Sequence, residues 1–345
     1  MVHASVSAAH EVIHTTNRDP RWLGFVAKAG PTLFQHPEWG SMIESVYGFP
    51  ACVAMLVRGA RIIGGLPYAE VKDFRGCRRV AYAFADVCEP LGEDAWSGLE
   101  RALTTDGIPW QIRSRAVPFA LARTVDRPGM HQAIDLPATA DEARKRFHQK
   151  QRVNARRLER AGACCRKFSD ASFIGPFYEL FSALRKNKFR LLPQSRRHFE
   201  LVAERYFPRG GFGLAAELDG RMVAGMMLLP EGDTLYIKYS ASALDALELR
   251  PNNYLFSKAI DAAIESGFRR LDLGISVEPG LIRFKEHLGA RSTPYHVARY
   301  GHEPPNESVR QLESALEHIT KILTDPEVPL SAAVAGGDAL YRFFV

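Results

Sequence analysis

Apolar residues recur at helical spacing in some stretches and alternate in others, and this pattern sets out a chain of elements. Trp22, Phe25 and Val26 share one face of a helix over 19–29. Trp39, Met42, Ile43 and Val46 share one face of a helix over 37–47, with Pro37 suited to its first turn. Residues 51–57 and 61–71 read as a hairpin turning at Arg58-Gly59-Ala60. Strands are predicted at 79–84, 109–113 and 131–136, with a helix over 93–105 between the first two. Thr139 and Glu142 have capping-box spacing and open a long basic helix over 140–161, closed by Gly162. A strand over 163–168 and helices over 172–188 and 194–206 follow. Then come strands at 213–218, 222–229 and 234–241, a helix over 252–266 and a strand at 269–273. A short helix over 280–288, a strand at 295–300 and a helical tail over 307–323 and 331–344 complete the chain. Hairpins mixed with strand-helix-strand units predict an α+β fold, a mixed sheet covered by helices.

The elements repeat at a spacing of 160 residues. Arg61-Ile62-Ile63-Gly64-Gly65 returns as Arg221-Met222-Val223-Ala224-Gly225, and Gly107-Ile108 returns as Gly267-Phe268. Such a period is the size of a domain and too long for a solenoid repeat. The expected organisation is a first copy over 19–136, a second over 140–300 and a helical tail over 301–345.

Composition is that of a globular chain of about two domains. The N-terminus shows no secretory signal and no stretch approaches a transmembrane span, so the expected location is the cytoplasm. Five cysteines, with no CxxC pair, give no disulfide framework or zinc site. The eleven histidines are spread along the chain, and no metal is expected. The net charge of +6 admits an anionic partner.

This order of elements resembles the GNAT acyltransferase fold, and its duplication resembles the Fem-like transferases with their BioF2-like acetyltransferase relatives. The matching motifs are Phe34-Gln35-His36-Pro37-Glu38-Trp39, Arg152-Val153-Asn154-Ala155-Arg156-Arg157 and Arg250-Pro251-Asn252-Asn253-Tyr254-Leu255. The most specific is Gly280-Leu281-Ile282-Arg283-Phe284-Lys285-Glu286-His287-Leu288-Gly289-Ala290. The resemblance spans about 19–300. It implies transfer of an aminoacyl or acyl group to an amine, with aminoacyl-tRNA as donor and a cell-wall precursor or natural-product intermediate as acceptor. No permanently bound cofactor is implied. Fem-like proteins carry a lysine four residues after the motif tryptophan that contacts the acceptor's phosphates. Ile43 stands there in this chain, which speaks against a nucleotide-linked murein precursor.

Attack of an amine on an ester or thioester builds negative charge on the carbonyl oxygen, which a fixed cation stabilises. The resemblance assigns that role to Lys285, beside Phe284 and Arg283; by composition alone Lys285 reads as a solvent-facing lysine. The amine must also lose a proton. Asp86, in the loop after a strand, lies near where the resemblance places the family's acidic residue, although a solvated loop aspartate is the plainer reading. Asp272 is a second acid at a strand end, and reads as a buried structural carboxylate.

Donor binding is expected from Tyr236, Lys238 and Tyr239, with alternation placing Tyr239 on the face opposite Tyr236 and Lys238. Arg250 and Asn253 occupy the slot in which CoA-dependent relatives carry a glycine-rich pyrophosphate turn. The slot has no glycine, and Pro251 removes an N–H donor. The corresponding slot of the first copy, Pro90-Leu91-Gly92-Glu93-Asp94, holds two acids. Both disfavour acyl-CoA, the alternative donor. Arg152 and Arg156, one turn apart on the basic helix, suit RNA phosphates. A non-catalytic binder of an anionic polymer or membrane surface is the reading of another class.

Overall fold

A computed structural model describes residues 10–92, 95–116, 120–301 and 303–345. In chain order the first elements are strand β1 (His10–Thr16), helices α1 (Pro20–Ala29) and α2 (Pro37–Tyr47), and strands β2 (Ala51–Arg58), β3 (Arg61–Asp73) and β4 (Gly76–Val80). Helix α3 (Ala95–Ala102), strand β5 (Trp110–Ser114) and strand β6 (Thr124–Asp135) follow. Then come α4 (Ala140–Lys145), α5 (Gln149–Arg160), β7 (Cys164–Phe168), α6 (Ile174–Leu184) and α7 (Arg196–Tyr206). The chain continues with β8 (Phe212–Leu218), β9 (Arg221–Glu231), β10 (Thr234–Ser242), α8 (Pro251–Glu265) and β11 (Arg270–Ser276). It ends with α9 (Pro279–Glu286), β12 (Arg291–Tyr300), α10 (Glu307–Leu323) and α11 (Leu330–Leu340).

The chain forms two compact units. One holds residues up to 128 together with 294–304 and 345; the other holds 129–293 and 305–344. Strand order in the first is β1-β2-β3-β4-β5-β12, and in the second β7-β8-β9-β10-β11-β6. Each order has three antiparallel pairings, then one parallel pairing: β4 with β5, and β10 with β11. Each sixth strand pairs antiparallel with the fifth. That sixth strand is exchanged. Residues 130–135 of β6 pair with β11, and residues 296–300 of β12 pair with β5.

The repeated motifs occupy equivalent strands, down to a shared bulge. In β2–β3 the register shifts between Leu56 and Val57, whose partners are Gly64 and Ile62, leaving Ile63 extra. In β8–β9 it shifts between Ala216 and Glu217, whose partners are Ala224 and Met222, leaving Val223 extra. Ile63 and Val223 are the same position of the two copies, so the inserted residue was duplicated with the fold.

Several elements differ from the sequence pattern. Strand β1 was not predicted. The run predicted as a strand at 79–84 pairs only to Val80; Tyr82 and Phe84 then take positive φ of 23° and 61°. The long basic helix is two helices, α4 and α5. His148 caps α5 through its Nδ1, which accepts from Lys150 N–H at 3.3 Å. The expected helix over 172–188 ends in a π-helical turn at Arg185–Phe189. Glu93 and Asp94, at the predicted start of α3 and in the first copy's donor slot, lie outside the described residues. The predicted tail packs within the second unit: Lys186 donates to Asp325 O at 2.6 Å and Arg190 to Thr324 O at 2.7 Å. Among the described residues no helix is long and apolar enough to cross a membrane.

One core layer of the second unit lies on the α8 side of its sheet, where Leu235, Ile237, Leu271 and Leu273 meet Leu255, Ala259 and Ile260. Their strand neighbours Tyr236 and Asp272 face the other side.

Candidate functional site

In the second unit the parallel ladder between β10 and β11 is short. It covers Thr234–Tyr236 against Arg270–Asp272, while β10 runs on to Ser242 and β11 to Ser276. A crevice outside the carboxyl ends of parallel strands is where open α/β sheets bind ligands. The candidate groups of this unit are Lys285, the β10 residues, the start of α8, and α5.

Lys285 is not the solvent-facing lysine that composition alone favours. It is 4 % exposed, and its ammonium donates to Leu273 O at 2.6 Å and Ile275 O at 3.3 Å. Burying an ammonium costs several kcal/mol unless it is paired or hydrogen-bonded. Two strand carbonyls contribute to meeting that need. Phe284 sets the helix, its ring meeting Phe256 edge-on at 5.2 Å. Arg283, two residues before Lys285, is exposed.

A bulge at Lys238 changes the facing of β10. Tyr236 pairs with Leu229, Ile237 with Leu228 and Tyr239 with Met227, leaving Lys238 extra. Leu229 and Met227 share a face, so Tyr239 lies on the same face as Tyr236, contrary to simple alternation. Tyr236 and Tyr239 are buried and Lys238 is half-buried. The Tyr239 hydroxyl lies 2.5 Å from Nε2 of His198, a histidine the sequence reading did not single out. Burial, helped by the charge of Lys238, holds His198 down to about 3, so its ring is neutral.

The α8 slot is built inward. Arg250 is exposed and left-handed at φ 57°, and its carbonyl already accepts from Asn253 N–H at 3.0 Å. The Asn253 side chain donates to Gln151 Oε1, and Gln151 Nε2 donates to Phe284 O at 3.3 Å. Asn253 therefore ties α8 to α5 and α9, rather than offering its amide to a donor. Ser242 Oγ donates to Asn252 Oδ1 at 2.5 Å.

Among the described residues most of the basic charge along 144–160 has no ion pair; Arg144 is the basic residue there that has one. Arg144 pairs with Asp261 at 2.7 Å and Asp141 at 2.8 Å, and Lys258 with Glu159 at 3.3 Å. Arg152 and Arg156 are exposed on α5 and carry no ion pair among the described residues. Both line a groove of about 320 Å³ against Tyr254, Ser257 and Lys258 of α8.

Asp86 belongs to the first unit, in the segment with two left-handed residues. Such backbone costs about 1–3 kcal/mol per residue and persists only where the surroundings over-determine it. Here they do. Asn17 Nδ2 donates to the Tyr82 hydroxyl at 3.2 Å, Trp39 Nε1 to Ala83 O at 3.3 Å, and Arg113 to Ala85 O at 3.0 Å. Phe84 packs on Tyr47 with centroids 4.7 Å apart. Trp39 of the motif is thus one of the residues that hold the Asp86 segment. Ile43, where Fem-like proteins have lysine, is fully buried.

The acetyltransferase (GNAT) domain family matches residues 145–286, from the start of the basic region through Lys285. That match joins the fold and the splayed strands. Residues 145–286 are a GNAT acetyltransferase domain, and the protein is an acyltransferase. The structure of FemX is similar to this transferase, with a TM-score of 0.59 at 16 % identity, covering 88 % of this chain and 99 % of that one. The structure of L-PGS from Bacillus licheniformis gives 0.53 at 12 % identity, covering 92 % and 97 %. Both likenesses are of fold. No curated protein matches the sequence. Within this acyltransferase, sequence reasoning missed Gln151, His131 and His198; each is defined by a partner more than 40 residues away, which local spacing cannot signal.

Proposed function

We propose that this acyltransferase moves an aminoacyl group from aminoacyl-tRNA to an amine, forming an amide in the cytoplasm. The observation that carries the reading is Lys285, buried in the motif shared with Fem-like enzymes and held by β11 beside the splayed strand ends. The amine nitrogen attacks the ester carbonyl carbon, and its lone pair becomes the new C–N bond. Negative charge gathers on the carbonyl oxygen, where the Lys285 ammonium stabilises it. As the intermediate collapses, the C–O bond breaks, and the ribose hydroxyl leaves with a proton while the amine gives one up. Asp86 is the proposed proton acceptor on the family resemblance and on the strain of its segment.

The donor assignment follows from the α8 slot. A pyrophosphate needs free N–H groups at a helix N-terminus. Pro251 has none, and the Asn253 N–H is taken by Arg250 O. Arg152 and Arg156 supply uncompensated charge for RNA phosphates instead, and Tyr236, Lys238 and Arg283 are proposed donor contacts. The buried Ile43 disfavours a nucleotide-linked acceptor, leaving a small amine or a cell-wall precursor of other build. The test is transfer from charged tRNA before and after RNase.

A further inference from the structure

We infer that Asp272 and His131 form a positioning pair that fixes the backbone seat of Lys285. The inference rests on the reading of Lys285 as the charge-stabilising group. Lys285 is seated on the carbonyls of Leu273 and Ile275, which flank Gly274. This short stretch is held by little of the sheet. The ladder from β10 ends at Asp272, and on the other side the pairing with β6 shifts between Asp272 and Ile275, so residues 273 and 274 have no partner there. Gly274 is left-handed at φ 70°. Left to itself, such a bulge would sample several conformations and its carbonyls would not converge.

One side chain closes it. Asp272 Oδ1 accepts from Gly274 N–H at 2.8 Å, across the turn whose carbonyls hold Lys285. The carboxylate is in turn held by His131 Nε2, 2.9 Å from Oδ2, reaching across from β6. Both side chains are almost fully buried, at 3 % and 6 % exposed. Burial pushes the Asp272 carboxyl up, but the His131 hydrogen bond and charge, the Gly274 N–H and the Arg270 charge together hold it below the usual range. The grip is therefore an ionised acceptor over the working pH range. A charge-assisted hydrogen bond of this kind is stronger than a neutral one and favours one bulge conformation. His131 came with the exchanged strand β6, so the pair also links that strand to the chemistry.

The experiment reads the seat directly. Lys285 is labelled with acetic anhydride in the intact protein and quantified by peptide mass spectrometry, beside kcat and KM for the donor. Asp272→Ala should raise the Lys285 labelling rate about tenfold and lower kcat about tenfold, with KM nearly unchanged. Asp272→Asn keeps an acceptor for Gly274 N–H and should restore both to within about threefold of wild type. His131→Leu, which leaves Asp272 on Gly274, should move labelling in the same direction and serves where Asp272→Ala does not fold. Wild-type labelling and turnover in folded Asp272→Ala or His131→Leu would overturn the proposal, as would an Asp272→Asn variant no better than Asp272→Ala. Labelling needs no substrate, so failure of charged tRNA as donor would sink the functional reading without touching this result.

Discussion

The ammonium of Lys285 lies 2.6 Å from the carbonyl oxygen of Leu273, so the motif lysine is anchored to the strand end rather than to solvent. An anchored cation acts on the transition state more than on substrate binding. Lys285→Met should lower kcat on the order of a hundredfold with little change in KM. Lys285→Arg should recover only part of the loss, because a planar guanidinium cannot take the place of a compact ammonium between two carbonyls. Steady-state kinetics on folded variants check this, and wild-type turnover in Lys285→Met would reduce the residue to a structural contact.

His198 gives a stability prediction. Its folded value is about 3, below the ordinary 6.5, because burial penalises the charged ring. Between pH 6.5 and 3 the unfolded chain binds the proton and the folded chain does not, so stability from this group is present above the unfolded value and is lost as pH falls. From pH 6.5 to 5 the loss is about 2 kcal/mol. His198→Gln keeps a hydrogen-bonding group for Tyr239 and does not titrate. Urea unfolding at the two pH values should show a smaller drop in the variant; equal drops would mean that His198 titrates normally.

Gly40 gives a packing prediction in the first unit. A Cβ there would lie 2.3 Å from the Tyr82 ring, which anchors the Asp86 segment. Gly40→Ala should cost about 1–3 kcal/mol by overpacking and disturb that segment. Asp86→Asn should leave thermal stability nearly unchanged and reduce turnover. A stable, fully active Asp86→Asn variant would remove the residue from the chemistry.

Much of the architecture was legible because it is written locally. The hairpins, Thr139 as a cap, and the 160-residue repeat all follow from short patterns, and the shared bulge at Ile63 and Val223 agrees with the repeat. The strand exchange was not legible. Alternation along β6 says which face is buried, not which strand lies beside it. The break between α4 and α5 was hidden by continuous charge across 144–157, with only His148 marking a cap. At 81–86 the β-forming run Ala-Tyr-Ala-Phe yields to tertiary ties from Asn17, Trp39 and Arg113, since strand propensity is weaker than packing. At the candidate site, the motif singled out Lys285 but not its burial on β11. The tie made by Asn253 was not legible, because its partner Gln151 is 102 residues away.

Arg152 and Arg156 make the donor testable through salt. Each phosphate neutralised releases a counterion, so binding of RNA should weaken linearly in logarithmic terms as salt rises. Replacing both arginines by Gln should reduce that slope by about 1.5–2. Filter binding or anisotropy across a salt series checks it, and an unchanged slope would move the RNA contact elsewhere.

The most direct measurement of the whole account is donor dependence. Purified protein is given a mixed amine acceptor pool with either total aminoacyl-tRNA or acetyl-CoA, each carrying a labelled acyl group, with and without RNase. The account predicts label in an amide product only with aminoacyl-tRNA, abolished by RNase and lowered about a hundredfold in rate by Lys285→Met. Transfer from acetyl-CoA that survives RNase would contradict it.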